Sequence, residues 1–244
     1  MISIIAHRGF SSAHRENSPA AWRAAVEAAA DFIEVDVRFT ADWQCVCLHD
    51  ADLLRLAGRP ERIAGLPYEE IEGIEAGGQS LAPRLIEALE TIPASTGIML
   101  DVKDERPEAL AILHDIIGRA EARRIVWGLH AEASVAAVKA LGHQALLGLT
   151  PQPEQGTAFI DAGCSLLRLW ESEVTAQRLA AAGELGVPVW ITAGGRGTDQ
   201  KTGDIDAKNL GALAELGISG VLVNDPALAR ADLHQLNVLK DSTP

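Results

Sequence analysis

The chain is predicted to be an α/β protein folded as a single (β/α)8 barrel. Three observations predict it: eight short apolar runs, amphipathic helical stretches between most of them, and polar residues gathered where the runs end. Strand and helix in alternation imply parallel strands joined by crossovers, and eight such units close a barrel. The 244 residues suit one domain spanning 1–244, since barrels of this kind run to about 250 residues.

The expected strands are Ser3–His7, Phe32–Val37, Ile98–Lys103, Ile125–Leu129, Ala145–Leu149, Leu166–Trp170, Val187–Thr192 and Val221–Asn224. Between them Pro19–Ala29, Pro107–Ala122 and Ala131–Leu141 have the apolar spacing of helices. An open doubly wound sheet is the main competitor, but no Gly-rich phosphate loop follows the first strand. Trp43–His49 is a further strand-like run after only the Thr40-Ala41-Asp42 turn. So short a gap permits an antiparallel hairpin and forbids a parallel crossover. The run is therefore a β-hairpin excursion after the second strand, or joins the barrel irregularly. Residues 51–80 are turn-rich and of mixed charge, which predicts a small capping segment, and 194–204 is a polar, glycine-rich loop.

The apolar fraction of 48% fills a sizeable core with branched aliphatics and alanine, and a net charge of −13 argues against nucleic acid or anionic membrane as a partner. A local metal and a few cations still allow an anionic substrate inside one cleft. Cys45, Cys47 and Cys164 lack disulfide-framework spacing. No basic leader, cleavage site or run of about 18 apolar residues is found. A cytoplasmic protein with reduced thiols and no membrane span is expected; its oligomeric state is left open.

The strand ends carry the chemistry: His7 and Arg8; Glu34 and Asp36; Asp101 and Lys103; Arg168 and Trp170; Trp190 and Thr192; Asn224. In a parallel barrel the C-terminal strand edge is where active sites are built. Alternation turns Glu34 and Asp36 toward the axis and Val35 and Val37 toward the helices, and Asp101 and Lys103 repeat the arrangement. Three inward carboxylates must protonate, pair or bind a cation, and oxygen ligands suit Mg²⁺ or Ca²⁺. An internal salt-bridge network without metal is the alternative. His7 and His49 end strands beside charged residues, and two imidazoles flanking a phosphorus centre can act as base and acid in turn. His14, His114, His130, His143 and His234 are read as surface or core residues, His130 with the most reserve because it follows a strand. Cys45, Cys47 and His49 share a strand face, a zinc-like pattern set against simple packing of the thiols.

These motifs resemble those of the glycerophosphodiester phosphodiesterases, within the phospholipase C-like phosphodiesterase superfamily. The resemblance is carried by His7-Arg8-Gly9, Glu16-Asn17, Glu34-Val35-Asp36-Val37, His49-Asp50 and Asp101-Val102-Lys103, in order. Pro83–Leu89 and Gly220–Pro226 extend it. The resemblance implies a barrel that binds one Ca²⁺ or Mg²⁺ and releases glycerol 3-phosphate and an alcohol from a small-molecule glycerophosphodiester. It implies an acid/base pair of His7 and His49, and metal ligation by Glu34, Asp36 and Asp101. Glu16 and Asn17 would stand behind the ligands, Arg8 and Lys103 on the phosphate oxygens, and Trp190 beside the substrate. It further implies that a glycerol hydroxyl attacks phosphorus and that water opens the resulting cyclic phosphate.

The chain departs from the family at Arg15, at Ser18, at Asp101 where many members have glutamate, at 127–130, and at 191–193. Two other readings stay open. One is a lyase-like relative resembling sphingomyelinase D that stops at the cyclic phosphate; the other is a non-catalytic barrel binding a phosphorylated metabolite.

Overall fold

A computed structural model describes residues 2–118, 123–150, 154 and 156–241. The chain runs from β1 (Ser3–Ala6) through α1 (Pro19–Glu27) to β2 (Phe32–Phe39) and β3 (Cys45–Cys47). Residues 51–80 then form α2 (Leu54–Ala57), a 3-10 turn at Ile63–Gly65, α3 (Glu69–Glu72) and a ribbon of β4 (Glu75–Ala76) and β5 (Gln79–Ser80). Strand and helix alternate thereafter: α4 (Leu85–Thr91), β6 (Gly97–Val102), α5 (Pro107–Gly118), β7 (Ile125–Leu129), α6 (Glu132–Ala140) and β8 (Leu146–Gly148). The series ends with α7 (Gly156–Ala162), β9 (Leu166–Trp170), α8 (Ala176–Glu184), β10 (Val189–Thr192), α9 (Ala207–Leu216), β11 (Gly220–Val223) and α10 (Pro226–Asp241). The last four residues of the expected helix Pro107–Ala122, 119–122, lie outside the described residues.

β1, β2, β6, β7, β8, β9, β10 and β11 pair in that order, all parallel, and β11 returns to β1. The barrel is closed, as expected. β3 pairs antiparallel with β2 through Val37↔Cys47 and Phe39↔Cys45, whereas β1 uses only Phe32 and Ile33 of β2. β2 outlasts its short neighbour, so its upper edge would be bare, and β3 covers it. This settles the hairpin as an excursion from β2.

Alternation sorts each strand into two faces. Val35, Val37, Leu100 and Val102 pack outward with Trp22, Leu85 and Leu113 of the helices. Ile5, Met99, Val126, Leu147, Trp190 and Leu222 fill the barrel interior. Each such side chain contributes roughly 1.5–3 kcal/mol on burial. β3 joins two clusters: Cys45 and Cys47 face the main core, while Val46 and Leu48 face a separate cluster with Leu53, Ile63, Tyr68 and Ile71. The apolar alternation of β3 thereby ties residues 51–80 to the rim of the barrel.

Candidate active site

The first βα loop is held by backbone that few residues tolerate. Arg8 and Gly9 have φ of 58° and 85°. A Cβ on Gly9 would lie 2.7 Å from the Ala21 backbone, so α1 approaches too closely for any side chain there. The left-handed turn at Arg8 aims its own N–H at Glu34, donating to Oε2 at 2.7 Å. Asn17 is also left-handed (φ 48°), a conformation asparagine accepts better than most residues. Its amide donates to Asp36 Oδ2 at 2.7 Å and its carbonyl accepts from the Asp36 N–H at 3.2 Å. Ser18 caps α1 by accepting from the Ala21 N–H at 3.2 Å, ahead of Pro19, so the serine at this position serves as the cap.

Glu34, Asp36 and Asp101 converge: one carboxylate oxygen from each lies within 4.8 Å of the others. Lys103 Nζ reaches Asp36 Oδ1 at 3.1 Å and Asp101 Oδ2 at 2.5 Å, and Arg8 Nε reaches Asp36 Oδ2 at 3.1 Å. Two cations therefore face three carboxylates. Glu34 Oε1 is buried without a hydrogen-bond partner among the described residues. Burial, with Asp36 and Asp101 close by, holds Glu34 well above the usual carboxylate range. Burial is the largest influence on Asp36 and Asp101 too and opposes their charge, but Lys103 with Arg8 and His49 at Asp36, and Lys103 with His130 at Asp101, together outweigh it and both stay below that range. A bare oxygen and one missing positive charge, among hard oxygen donors, fit a divalent cation such as Mg²⁺ or Ca²⁺.

His7 Nδ1 lies 2.9 Å from Asn224 Oδ1. The Asn224 amide nitrogen already donates to Thr202 O and Asp204 Oδ1, at 2.7 and 2.9 Å, which fixes Oδ1 as an acceptor. His7 must then carry its proton on Nδ1 and leave Nε2 bare. Burial, and then the Arg8 charge, lower His7 to about 4, so the ring is uncharged at neutral pH. His49 Nδ1 donates to Asp50 Oδ1 at 2.8 Å, which frees its Nε2 likewise. Arg38 holds the His49 carbonyl through Nε and Nη2, at 2.9 and 2.7 Å. Asp50 pairs with Arg55 on α2, Arg55 with Glu16, and Glu16 with Arg8 at 3.1 Å, a chain of charges from one histidine's neighbourhood to the other's.

Of the residues expected in the site, Glu34, Asp36, Asp101, Lys103, Arg8, Glu16 and Asn17 thus form one bonded network. Trp190 requires a correction. Its ring does point into the barrel, as alternation demands, but it packs on Phe32 at 5.0 Å between ring centroids, and a Cβ on Gly220 would touch it. Phe32 and Gly220 each begin a strand, so Trp190 fills the floor of the barrel and not its mouth. Trp170, one strand away, stands higher, beneath the Arg168 guanidinium and beside the 194–204 loop.

Sequence reasoning missed His130, whose Nε2 bonds Asp101 Oδ1 at 2.8 Å. The signal was its inward parity just past β7. It also missed Asn224 as the partner of His7, and Arg55. The thiols of Cys45 and Cys47 are buried, and burial pushes both up, so the zinc-like pattern is packing. No helix among the described residues is long and apolar enough to cross a membrane.

Residues 7–126 match the glycerophosphoryl diester phosphodiesterase family. A glycerophosphodiester phosphodiesterase of Bacillus altitudinis is 31% identical over 110 residues, 42% of this chain and 45% of that one. One from Caldanaerobacter subterraneus is 38% identical over 96 residues, 36% of this chain and 40% of that one. The aligned part thus spans under half the length of these curated relatives. Among solved structures, a phosphodiesterase of Oleispira antarctica in complex with the product sn-glycerol-3-phosphate superposes with a TM-score of 0.83 at 21% identity, covering 95% of this chain and 96% of that one. A glycerophosphodiester phosphodiesterase from Thermotoga maritima gives 0.79 at 20%, covering 95% and 98%. At these identities the structural likeness carries the fold.

Proposed function

We propose that this chain, which belongs through residues 7–126 to the glycerophosphoryl diester phosphodiesterase family, hydrolyses glycerophosphodiesters to glycerol 3-phosphate and an alcohol. The observation that carries the reading is three converging carboxylates, two of them buried and one with a bare oxygen, in a barrel mouth that also holds two histidines with free Nε2 atoms. Glu34, Asp36 and Asp101 would hold one divalent ion, Mg²⁺ or Ca²⁺. When bound, that ion supplies positive charge for the oxygens of the reacting phosphoryl group.

The protein's own groups do the rest. Asn17 and Arg8 fix Asp36, the Arg8 N–H fixes Glu34, and His130 fixes Asp101. Uncharged His7 takes the proton of a substrate hydroxyl through Nε2, and that oxygen bonds phosphorus. His49, entering the step doubly protonated with Asp50 accepting from its Nδ1, gives its Nε2 proton to the departing alkoxide. With the roles reversed, a water proton goes to His49 and the new phosphorus–oxygen bond of water opens the cyclic phosphate, while His7 returns its proton to the released hydroxyl oxygen. Each proton transfer of this kind contributes about 10²- to 10⁴-fold. The internal hydroxyl arrives already positioned, which lowers the barrier further.

We take 1–244 as one catalytic domain, with residues 51–80 capping the mouth and reaching it through Arg55. Three buried free thiols and the lack of a membrane-crossing helix among the described residues support a cytoplasmic setting. The test is turnover of a panel of glycerophosphodiesters with Mg²⁺, Ca²⁺ or Mn²⁺. Turnover should require one of these ions and stop in excess chelator; turnover undiminished in chelator would remove the metal from the reading. The Asp101-Val102-Lys103 motif, similar to that of the lyase-like sphingomyelinase D relatives, favours one second reading, release of the cyclic phosphate itself, and the products decide between the two.

A further inference from the structure

Four cations surround the upper barrel, and three of them are already engaged. Arg8 is held by Glu16 and Asp36, Lys103 by Asp36 and Asp101, and Arg38 by the His49 carbonyl. Arg168 is the fourth. On β9, Leu167 and Leu169 pack outward against the helix-facing clusters, whereas Leu166 joins the barrel interior, so parity turns Arg168 inward. Its side chain has no ion pair or hydrogen bond among the described residues, and its Nε and Nη1 are buried. The residue is 8% exposed. The ring of Trp170 lies 4.7 Å from its guanidinium carbon. A cation–π contact offsets only part of the cost of burying an unpaired guanidinium. Burial lowers the Arg168 pKa, and the field of Asp101 is the first influence opposing it. Asp101 is itself occupied by Lys103 and His130. A buried guanidinium with no hydrogen-bonded anion among the described residues, facing the barrel mouth, suits an anionic ligand.

We infer that Arg168 is a substrate-binding residue whose guanidinium takes a phosphoryl oxygen of the glycerol 3-phosphate moiety. The inference rests on the phosphodiesterase reading above. Arg168 then joins Arg8 and Lys103 in facing the phosphoryl group, and it is the one of the three with no carboxylate partner among the described residues. Trp170 keeps the guanidinium plane in place and screens it from water.

The test is calorimetric binding of glycerol 3-phosphate and, separately, inorganic phosphate to the full chain with Mg²⁺ present, in wild type, Arg168→Gln and Arg168→Lys. A hydrogen bond from a charged donor corresponds to about a tenfold to hundredfold change in affinity. Arg168→Gln should weaken glycerol 3-phosphate by that factor, with Arg168→Lys in between. Without ligand, Arg168→Gln should unfold at the wild-type temperature or above, because an unpaired buried charge has been removed. The stabilisation that glycerol 3-phosphate gives the wild type should be lost in it. If wild type binds glycerol 3-phosphate and Arg168→Gln binds it equally well, the inference is wrong and the phosphodiesterase reading stands. A variant that melts lower without ligand yet keeps the ligand's stabilisation shows a structural role and also overturns it. An effect on inorganic phosphate alone marks an adventitious ion only. If wild type neither binds glycerol 3-phosphate nor turns over any glycerophosphodiester, the underlying reading fails and takes this inference with it.

Discussion

The floor and the mouth of the barrel are made by the same inward positions, two residues apart on the same strands, yet they do opposite work. Ile5 lies in the apolar floor and His7 in the mouth; Met99 is followed by Asp101 and Lys103, Trp190 by Thr192, and Leu222 by Asn224. The floor buries apolar surface and gains stability from it. The mouth gathers three carboxylates against Arg8 and Lys103, raises the Glu34 carboxyl, lowers the His7 imidazole and leaves Arg168 without an ion pair among the described residues. Such groups work against stability and are kept in place by what surrounds them. One step of two residues thus separates a region that holds the fold from a region that the fold holds.

Substitutions on either side of this boundary should therefore fail differently. The largest effect is expected at Glu34. Glu34→Ala should abolish turnover and divalent-ion binding, because it removes a ligand from the carboxylate cluster, while the unfolding temperature stays level or rises. The ion titration and the melting curve check both halves; a variant that melts far lower would place Glu34 among the stabilising residues. Next, His7→Ala and His49→Ala should each lower turnover by about 10²- to 10⁴-fold with the fold intact. Near wild-type turnover in either variant would mean that histidine has no part in proton transfer.

On the floor, Trp190→Ala should cost about 3–5 kcal/mol of stability through the cavity it opens against Phe32 and Ile5. The Michaelis constant of the folded fraction should change little, and a large rise in it would return Trp190 to the mouth. The smallest effect is expected at His130. Loss of a group that orients a ligand typically costs 10- to 100-fold in metal affinity or activity, and exposure of His130 argues for about the lower figure. His130→Ala should weaken the ion, measured by titration, and leave the unfolding temperature unchanged.

The contrast also explains what could be read in the chain beforehand. The barrel was legible because strand and helix periods differ and eight runs recur, and the inward face was legible because a strand repeats every two residues. Glu34, Asp36, Asp101 and Lys103 followed from that parity alone. Height within the barrel does not follow from parity, since it depends on where each strand begins relative to its neighbours. Trp190 was accordingly placed on the right face and at the wrong level: Trp190 pairs in register with Gly220, the first residue of β11. His130 was read with the other four histidines as a surface or core residue although it follows a strand, and its inward parity carries it to Asp101. Arg55 reaches Glu16 across 39 residues from a four-residue helix, a contact that no local pattern announces.

Phosphorus NMR of a glycerophosphodiester such as glycerophosphocholine, followed with the full chain in Mg²⁺ or Ca²⁺ and again in excess chelator, addresses the mouth as a whole. The substrate resonance should give way to that of glycerol 3-phosphate, with chelator halting the change. A cyclic phosphate that persists would make the enzyme a lyase, and a substrate resonance unchanged with every glycerophosphodiester and ion tried would contradict the assignment of these carboxylates and histidines to phosphodiester cleavage.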